Sequence, residues 1–308
     1  MIQTFGLVKQ YKNLTAVNSL DLTVNEGEIF GFIGPNGAGK TTTIRMLATL
    51  TKPTSGHALV AGYNILTQAD EVKRVIGYMP DSFGVYEDMK VWEYLDFFAA
   101  AYKIPKEKRG QIVDDVLNLT DLIYKKDDYV EALSKGMKQR LCLAKTLVHD
   151  PKVLLLDEPA SGLDPRARIE LRELLKELCK MGKTILVSSH ILTELADFCT
   201  SIGIIEQGRL LAAGKVDDIL KNVKASKVVK VTVRENAEKG RELMAAHPNV
   251  KSAEIEGNVV IVHLDLSCED TSFIAEELLK NGIKFTSMKE EELDLEDIFM
   301  KITTGAVQ

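Results

Sequence analysis

Gly34-Pro-Asn-Gly-Ala-Gly-Lys40-Thr41 sets glycines at its ends and closes on a lysine and a hydroxyl. It fits the spacing G-x-x-x-x-G-K-[ST] of a phosphate-binding loop. The glycines let backbone N–H groups turn inward around phosphate oxygens, and a helix starting there aims its positive end at them. In such a loop Lys40 holds the β- and γ-phosphates and the Thr41 hydroxyl ligates Mg²⁺. Pro35, Asn36, Gly37, Ala38, Gly39 and Thr42 complete the cradle. A second cluster, Val153-Leu-Leu-Leu156-Asp157-Glu158, ends an apolar run on two carboxylates. Asp157 is suited to Mg²⁺, directly or through water. Glu158 is placed to orient or deprotonate an attacking water. An apolar run ending in Asp-Glu is a common strand end; after a phosphate loop it reads as the other half of a hydrolytic centre.

These groups need strands to carry them. Leu20–Val24 reads as a strand, Asn25-Glu26-Gly27 as a turn and Ile29–Ile33 as a second strand. Thr41–Leu50 has helical spacing, Lys52–Gly56 is loop punctuation and Val75–Met79 is a short apolar strand. Val91–Tyr102 and Lys106–Leu122 are helical, which predicts a mostly helical insert over about 85–145 in an α/β layer. Val153–Leu156 and Thr184–Val187 have the continuous apolar character of parallel strands buried on both faces. The helix Arg166–Met181 lies between them, as a strand–helix–strand unit requires. Beyond about Lys221 the order becomes β-α-β-β-α-β, through Val228–Val233, Ala237–Ala246, a hairpin over Ser252–Asp265, Asp270–Asn281 and Lys284–Met288. That order suggests a small ferredoxin-like domain. The expected division is 1–220 and 221–308.

Composition narrows the classes further. The 308 residues are 45% hydrophobic and 27% charged, which excludes a mainly disordered or fibrous chain. With 39 basic and 45 acidic residues the net charge is −6, which argues against a nucleic-acid partner. The four cysteines, Cys142, Cys179, Cys199 and Cys268, form no CxxC pair and read as reduced, packed thiols. No stretch approaches the roughly 20 apolar residues of a membrane span. Met1–Val8 lacks the pattern of a signal peptide. The expectation is a soluble intracellular chain, with any membrane spans supplied by another.

Three further motifs are more specific. Leu133-Ser134-Lys135-Gly136-Met137-Lys138-Gln139-Arg140 precedes the acidic pair, Ser161-Gly162-Leu163-Asp164 follows it, and Ser188-Ser-His190 ends the next apolar run. In this order they resemble the signature, D-loop and switch histidine of ATP-binding cassette (ABC) proteins, over about residues 1–220. Tyr11 stands where that family stacks an aromatic on adenine. Two departures matter. The signature usually reads Leu-Ser-Gly-Gly-Gln, and Lys135 and Met137 replace its third and fifth residues. Asp81, in Ile76-Gly-Tyr-Met-Pro80-Asp81, stands at the usual place of the Q-loop glutamine.

The resemblance implies an α/β P-loop ATPase core, with a mixed sheet and a helical subdomain, followed by a small α+β domain. It implies two subunits, as a homodimer, closing head-to-tail around two ATP molecules with Mg²⁺. Lys40, Thr41, Asp157, Glu158 and His190 of one chain would share a nucleotide with Ser134 and Gly136 of its partner, with Asp164 nearby. Asp81 would reach Mg²⁺ or its water. An integral-membrane permease would dock near Asp81–Trp92, placing the chain on the cytoplasmic face of the membrane. The ending Leu295-Glu-Asp-Ile-Phe299 resembles exporter-type subunits. The competing class is a non-transport ABC ATPase acting on ribosomes or DNA, which usually has two cassettes or long insertions. Trp92, Tyr94, Leu95, Phe98 and Tyr102 read as helix packing, with a docking surface as the alternative. His57, His149, His247 and His263 read as ordinary surface or core histidines.

Overall fold

The computed structural model describes residues 1–291 apart from 83, 217, 220–226, 266, 267 and 269; the Leu295–Phe299 ending lies outside the described residues. The chain divides after Val216 into two compact units.

The first unit opens with a sheet that the sequence concealed. β1 (Ile2–Tyr11) pairs antiparallel with β2 (Leu14–Leu20), β3 (Thr23–Val24) and β5 (Ser55–Val60), and β6 (Tyr63–Asn64) extends β5. Gly6, at φ 51°, interrupts the alternation of β1, and its N–H is taken by Asp21 Oδ1 at 2.6 Å. The strand expected over Leu20–Val24 is instead broken between β2 and β3. Ser19 adopts φ 51°, and Thr4 Oγ1 accepts from the Leu22 N–H at 2.8 Å while donating to Leu20 O. The Thr4 side chain thus supplements its own N–H, which donates to Leu22 O at 2.9 Å, in bridging the break.

The second sheet is the mixed one expected. Its order is β11-β10-β4-β9-β8-β7, built from β4 (Ile29–Ile33), β7 (Ile76–Met79), β8 (Val153–Leu156), β9 (Thr184–Ser189), β10 (Ser201–Glu206) and β11 (Arg209–Lys215). β10, β4, β9, β8 and β7 are mutually parallel, and β11 closes one edge as an antiparallel hairpin. Every residue of β4, β8 and β9 is buried, which explains their unbroken apolar or small composition. α1 (Lys40–Leu47) follows β4, and Ile44 and Leu47 join one core with Ile2, Leu7 and Val17 of the first sheet and Phe30, Leu155 and Leu186 of the second. α2 (Ala69–Val75) leads into β7.

Between β7 and β8 come α3 (Val91–Ala101), α4 (Lys106–Leu119) and α5 (Lys135–Leu147), the expected helical insert. Its aromatic stripe is divided. Tyr94 and Leu95 are buried, whereas Trp92 and Tyr102 remain exposed at the edge. α6 (Pro165–Lys180) joins β8 to β9, and α7 (Leu192–Ala196) joins β9 to β10.

The second unit contains β12 (Lys227–Val233), α8 (Ala237–Ala245), β13 (Val250–Glu256), β14 (Val259–Leu264), α9 (Ser272–Lys280) and β15 (Phe285–Glu291). Its strands lie in the order β13-β14-β12-β15, with each neighbouring pair antiparallel. That is the split β-α-β arrangement of a ferredoxin-like sheet. Val229, Val231, Val260, Val262, Ile274 and Leu278 form its own core.

Because this core is separate, Leu278→Ala should destabilise the second unit by about 2–5 kcal/mol. Nucleotide affinity should stay within twofold of the unaltered chain. Thermal melts and nucleotide titrations on one preparation check this; a parallel loss of affinity would contradict it.

Candidate functional site

Parallel register brings the chemistry together. Ile33 of β4 lies opposite Ser189 of β9, Leu156 of β8 opposite Val187, and Met79 of β7 opposite Leu156. The chain therefore leaves the sheet four times at one edge: into the glycine loop, Asp157-Glu158, His190 and Asp81. Ligands bind at this carboxyl edge in open α/β sheets.

The loop is shaped by two close approaches. A Cβ on Gly34 would run into the carbonyl oxygen of Ile205, and one on Gly39 into that of Ala16; Gly39 also has φ 106°. Gly39 begins α1 with no side-chain cap and no acid in the first turn. Thr43 is the first residue of this turn whose N–H bonds back, to Gly39 O at 2.9 Å. The start of α1 thus keeps donors and a positive dipole end for an anion.

Lys40 is only 4% exposed. Its Nζ donates to Gly34 O at 2.7 Å and Pro35 O at 3.1 Å, and pairs with Glu158 Oε1 at 3.3 Å. Burial pushes its pKa below the usual lysine range, opposed by the Glu158 charge. Glu158 Oε2 meets His190 Nδ1 at 3.0 Å, so one carboxylate bridges the lysine and the histidine. A carboxylate only accepts, so Nδ1 carries the proton of this contact. Glu158 itself has φ 46°, a left-handed backbone rare for a residue with a side chain.

Asp157 is 1% exposed, and burial pushes its carboxyl above the usual aspartate range. The Ser188 and Thr41 hydroxyls act the other way. Ser188 Oγ donates to Asp157 Oδ1 at 2.8 Å and accepts from the Glu158 N–H at 3.0 Å. Asp157 Oδ2, also buried, has no hydrogen-bond partner among the described residues. An orphaned carboxylate oxygen beside a threonine hydroxyl fits a hard cation completed by phosphate oxygens and water. No three His, Cys, Asp or Glu side chains among the described residues form a self-sufficient metal cage.

One cleft is lined by Tyr11, Asn36–Thr42, Asp81, Glu158, Ser161 and His190. Tyr11 is exposed, with Lys9 Nζ 4.9 Å from its ring centroid. Asp81 also contributes its field at Lys40 and Asp157. Ser134, Gly136 and Asp164 are not among the lining residues. Ser134 caps α5 by accepting from Met137 N–H at 3.3 Å, and Asp164 caps α6 by accepting from Ala167 N–H at 2.9 Å. Sequence reading assigned no role to Ser188, although it sits between both acidic residues. The signal was a hydroxyl two places before His190.

Known proteins match this arrangement. The family model described as ABC transporter matches residues 17–161. The bacitracin transport ATP-binding protein BcrA of Bacillus licheniformis is 35% identical, over 99% of this chain and 98% of its own. The chain belongs to the ABC transporter ATP-binding proteins. An uncharacterized ABC transporter ATP-binding protein, YhcH of Bacillus subtilis, is 34% identical over 98% of this chain and 96% of its own. A solved ATP-binding subunit of an ABC transporter superposes with TM-score 0.65 at 30% identity, covering 72% of this chain and 92% of that one. An ATP-binding cassette solved as a dimer after hydrolysis, with ADP and Pi, gives TM-score 0.64 at 25% identity, covering 70% of this chain and 99% of that one. As a member of this family, the ABC ATPase described here binds and hydrolyses ATP. Among its described residues no helix is long and apolar enough to cross a membrane.

Ser188→Ala should lower turnover at least tenfold, because it removes a donor from Asp157 and an acceptor from Glu158. It also raises the Asp157 pKa further, so the acidic limb of the rate–pH profile should move to higher pH. Steady-state rates between pH 5 and 8 test this; an unmoved limb would contradict the role given to Ser188.

Proposed function

We propose that this ABC ATPase powers a separate membrane-spanning export partner, acting as a homodimer that closes head-to-tail around two ATP molecules. The observation that carries the pairing is the division of the motifs. The phosphate loop, acidic pair and switch histidine share a cleft, whereas Ser134, Gly136 and Asp164 lie outside its lining. Within one chain the site is half built. A second copy offering Ser134 and Gly136 to the γ-phosphate would complete it. Export is supported by relatives matched along nearly their whole length, including Nod factor export protein I of Cupriavidus metallidurans at 33% identity and the linearmycin resistance protein LnrL of Bacillus subtilis at 31%.

In this reading the loop N–H groups and the start of α1 receive the phosphates, and Tyr11 stacks on adenine. Lys40 exchanges its bonds to Gly34, Pro35 and Glu158 for phosphate oxygens. That exchange frees Glu158 Oε1, which then accepts from the attacking water while His190 holds Oε2. Thr41 and Asp157 would hold Mg²⁺, with Asp81 reaching its water shell; when bound, it neutralises charge between the phosphates. ATP favours closure through γ-phosphate contacts that ADP lacks, and hydrolysis releases them. The permease would dock near Asp81–Trp92, on the cytoplasmic face of the membrane. Residues 221–308 are read as an accessory domain that supports pairing or regulation.

Glu158→Gln should retain ATP affinity, lose turnover by at least a hundredfold and accumulate as an ATP-bound dimer. Size analysis with Mg-ATP tests the pairing; a monomer at saturating ATP would contradict it. Purification from membranes should recover a chain with several spans, and recovery with ribosomes or DNA instead would overturn the transport reading.

A further inference from the structure

Helix α5 carries Lys135 and Gln139 one turn apart, on the same face. Both touch the segment that leaves Glu158. Gln139 is 4% exposed, and its Nε2–H donates to the carbonyl of Pro159, the residue after Glu158. Its Oε1 is buried with no hydrogen-bond partner among the described residues. A buried amide with a stranded acceptor is a poor choice for packing alone, because an apolar side chain would leave nothing unpaired. The ammonium of Lys135 lies close over Gly162, beside the position that a Cβ there would take. Gly162 also has φ 67°, a left-handed backbone that strains a residue with a side chain.

The backbone hydrogen bonds described between these contacts are local ones. Ser161 N–H donates to Glu158 O at 3.0 Å and Leu163 N–H to Ala160 O at 3.2 Å, both within the segment. Pro159–Gly162 also borders a pocket of about 250 Å³ lined by Leu171, Leu175, Leu195 and Phe198, so it is not packed solidly. Yet Glu158 holds a left-handed backbone, which persists only where the surroundings over-determine it. Ser188 Oγ fixes its N–H. The Gln139 amide fixes the next carbonyl.

We infer that Gln139 is a positioning residue for hydrolysis: by holding the Pro159 carbonyl it sets the backbone of Glu158, and thereby the aim of the carboxylate between Lys40 and His190. Lys135 steadies the far end of the segment at Gly162. Because Ser134 caps α5, a contact made at that end lies about one helical turn from Gln139 and is carried through it to Glu158. The inference rests on the reading of Glu158 as the group that orients water.

Three variants test it in the full-length chain. Gln139→Leu keeps the volume and removes both polar atoms. It should lower kcat about tenfold, leave the KM for ATP within twofold, and leave the melting temperature unchanged or higher. Gln139→Glu places an acceptor against a carbonyl at neutral pH, but its protonated form donates again. Its rate relative to the unaltered chain should therefore recover as pH falls. In a Glu158→Gln background, Gln139→Leu should cost no further rate in single-turnover phosphate release, since its effect runs through that carboxylate. A normal kcat in Gln139→Leu, or the same fractional loss in both backgrounds, overturns the positioning role while leaving the reading of Glu158 intact. Unimpaired hydrolysis by Glu158→Gln alone instead strikes that reading, and the proposed route with it.

Discussion

The parallel pairing of β4, β9, β8 and β7 places four chain exits beside one another; the glycine loop starts at one of them, and Asp81, Asp157, Glu158 and His190 lie within two residues of the others. Hydrogen bonds extend the register beyond the strands. Gly34 N–H donates to Ser189 O at 3.3 Å, and Asp157 N–H to Met79 O at 2.9 Å. A one-residue slip of β8 would turn its side chains to the opposite face. It would carry Asp157 away from the Ser188 hydroxyl.

Burial gives the site its electrostatic tension. Desolvation works against the charged forms of both Lys40 and Asp157, pushing the lysine pKa down and the aspartate pKa up. Removing Glu158 would leave the buried Lys40 ammonium without its ion-pair partner, which costs more than the pair contributes. The contacts therefore form a chain: His190 to Glu158, Glu158 to Lys40, and Lys40 to the loop carbonyls. These bonds engage the groups that the proposed phosphate would meet, whereas Asp157 Oδ2 has no partner among the described residues.

Much of this was legible in the sequence because continuous apolar runs mark buried parallel strands and because the glycine spacing has few other uses. Asp157, Glu158 and His190 were visible as polar residues at the ends of such runs. The antiparallel sheet was less legible. Gly6 and the Ser19–Leu22 break interrupt its period-two pattern, and only the pairing of distant segments restores it. Ser188 and Gln139 were present in quoted motifs, but their roles depend on which carbonyl or carboxylate the fold sets opposite them. Spacing along a chain does not specify that. Ser134 and Asp164 were expected beside a nucleotide and are seen capping helices, two uses that an N-cap oxygen can serve in turn.

The position of β4 also has a consequence for how the protein is made. Both of its neighbours, β9 and β10, begin more than 150 residues further along the chain. At a synthesis rate of roughly 5–20 residues per second, about 10–30 s separate the appearance of Ile29–Ile33 from that of its partners. For that interval a five-residue apolar strand has neither edge covered by its native neighbour, while β1, β2, β3, β5 and β6 are already available to pair. The first sheet can thus shelter one side of β4 before the phosphate loop has a rigid frame. Such long-range closure is slow, and it leaves the nascent chain open to aggregation until β9 emerges.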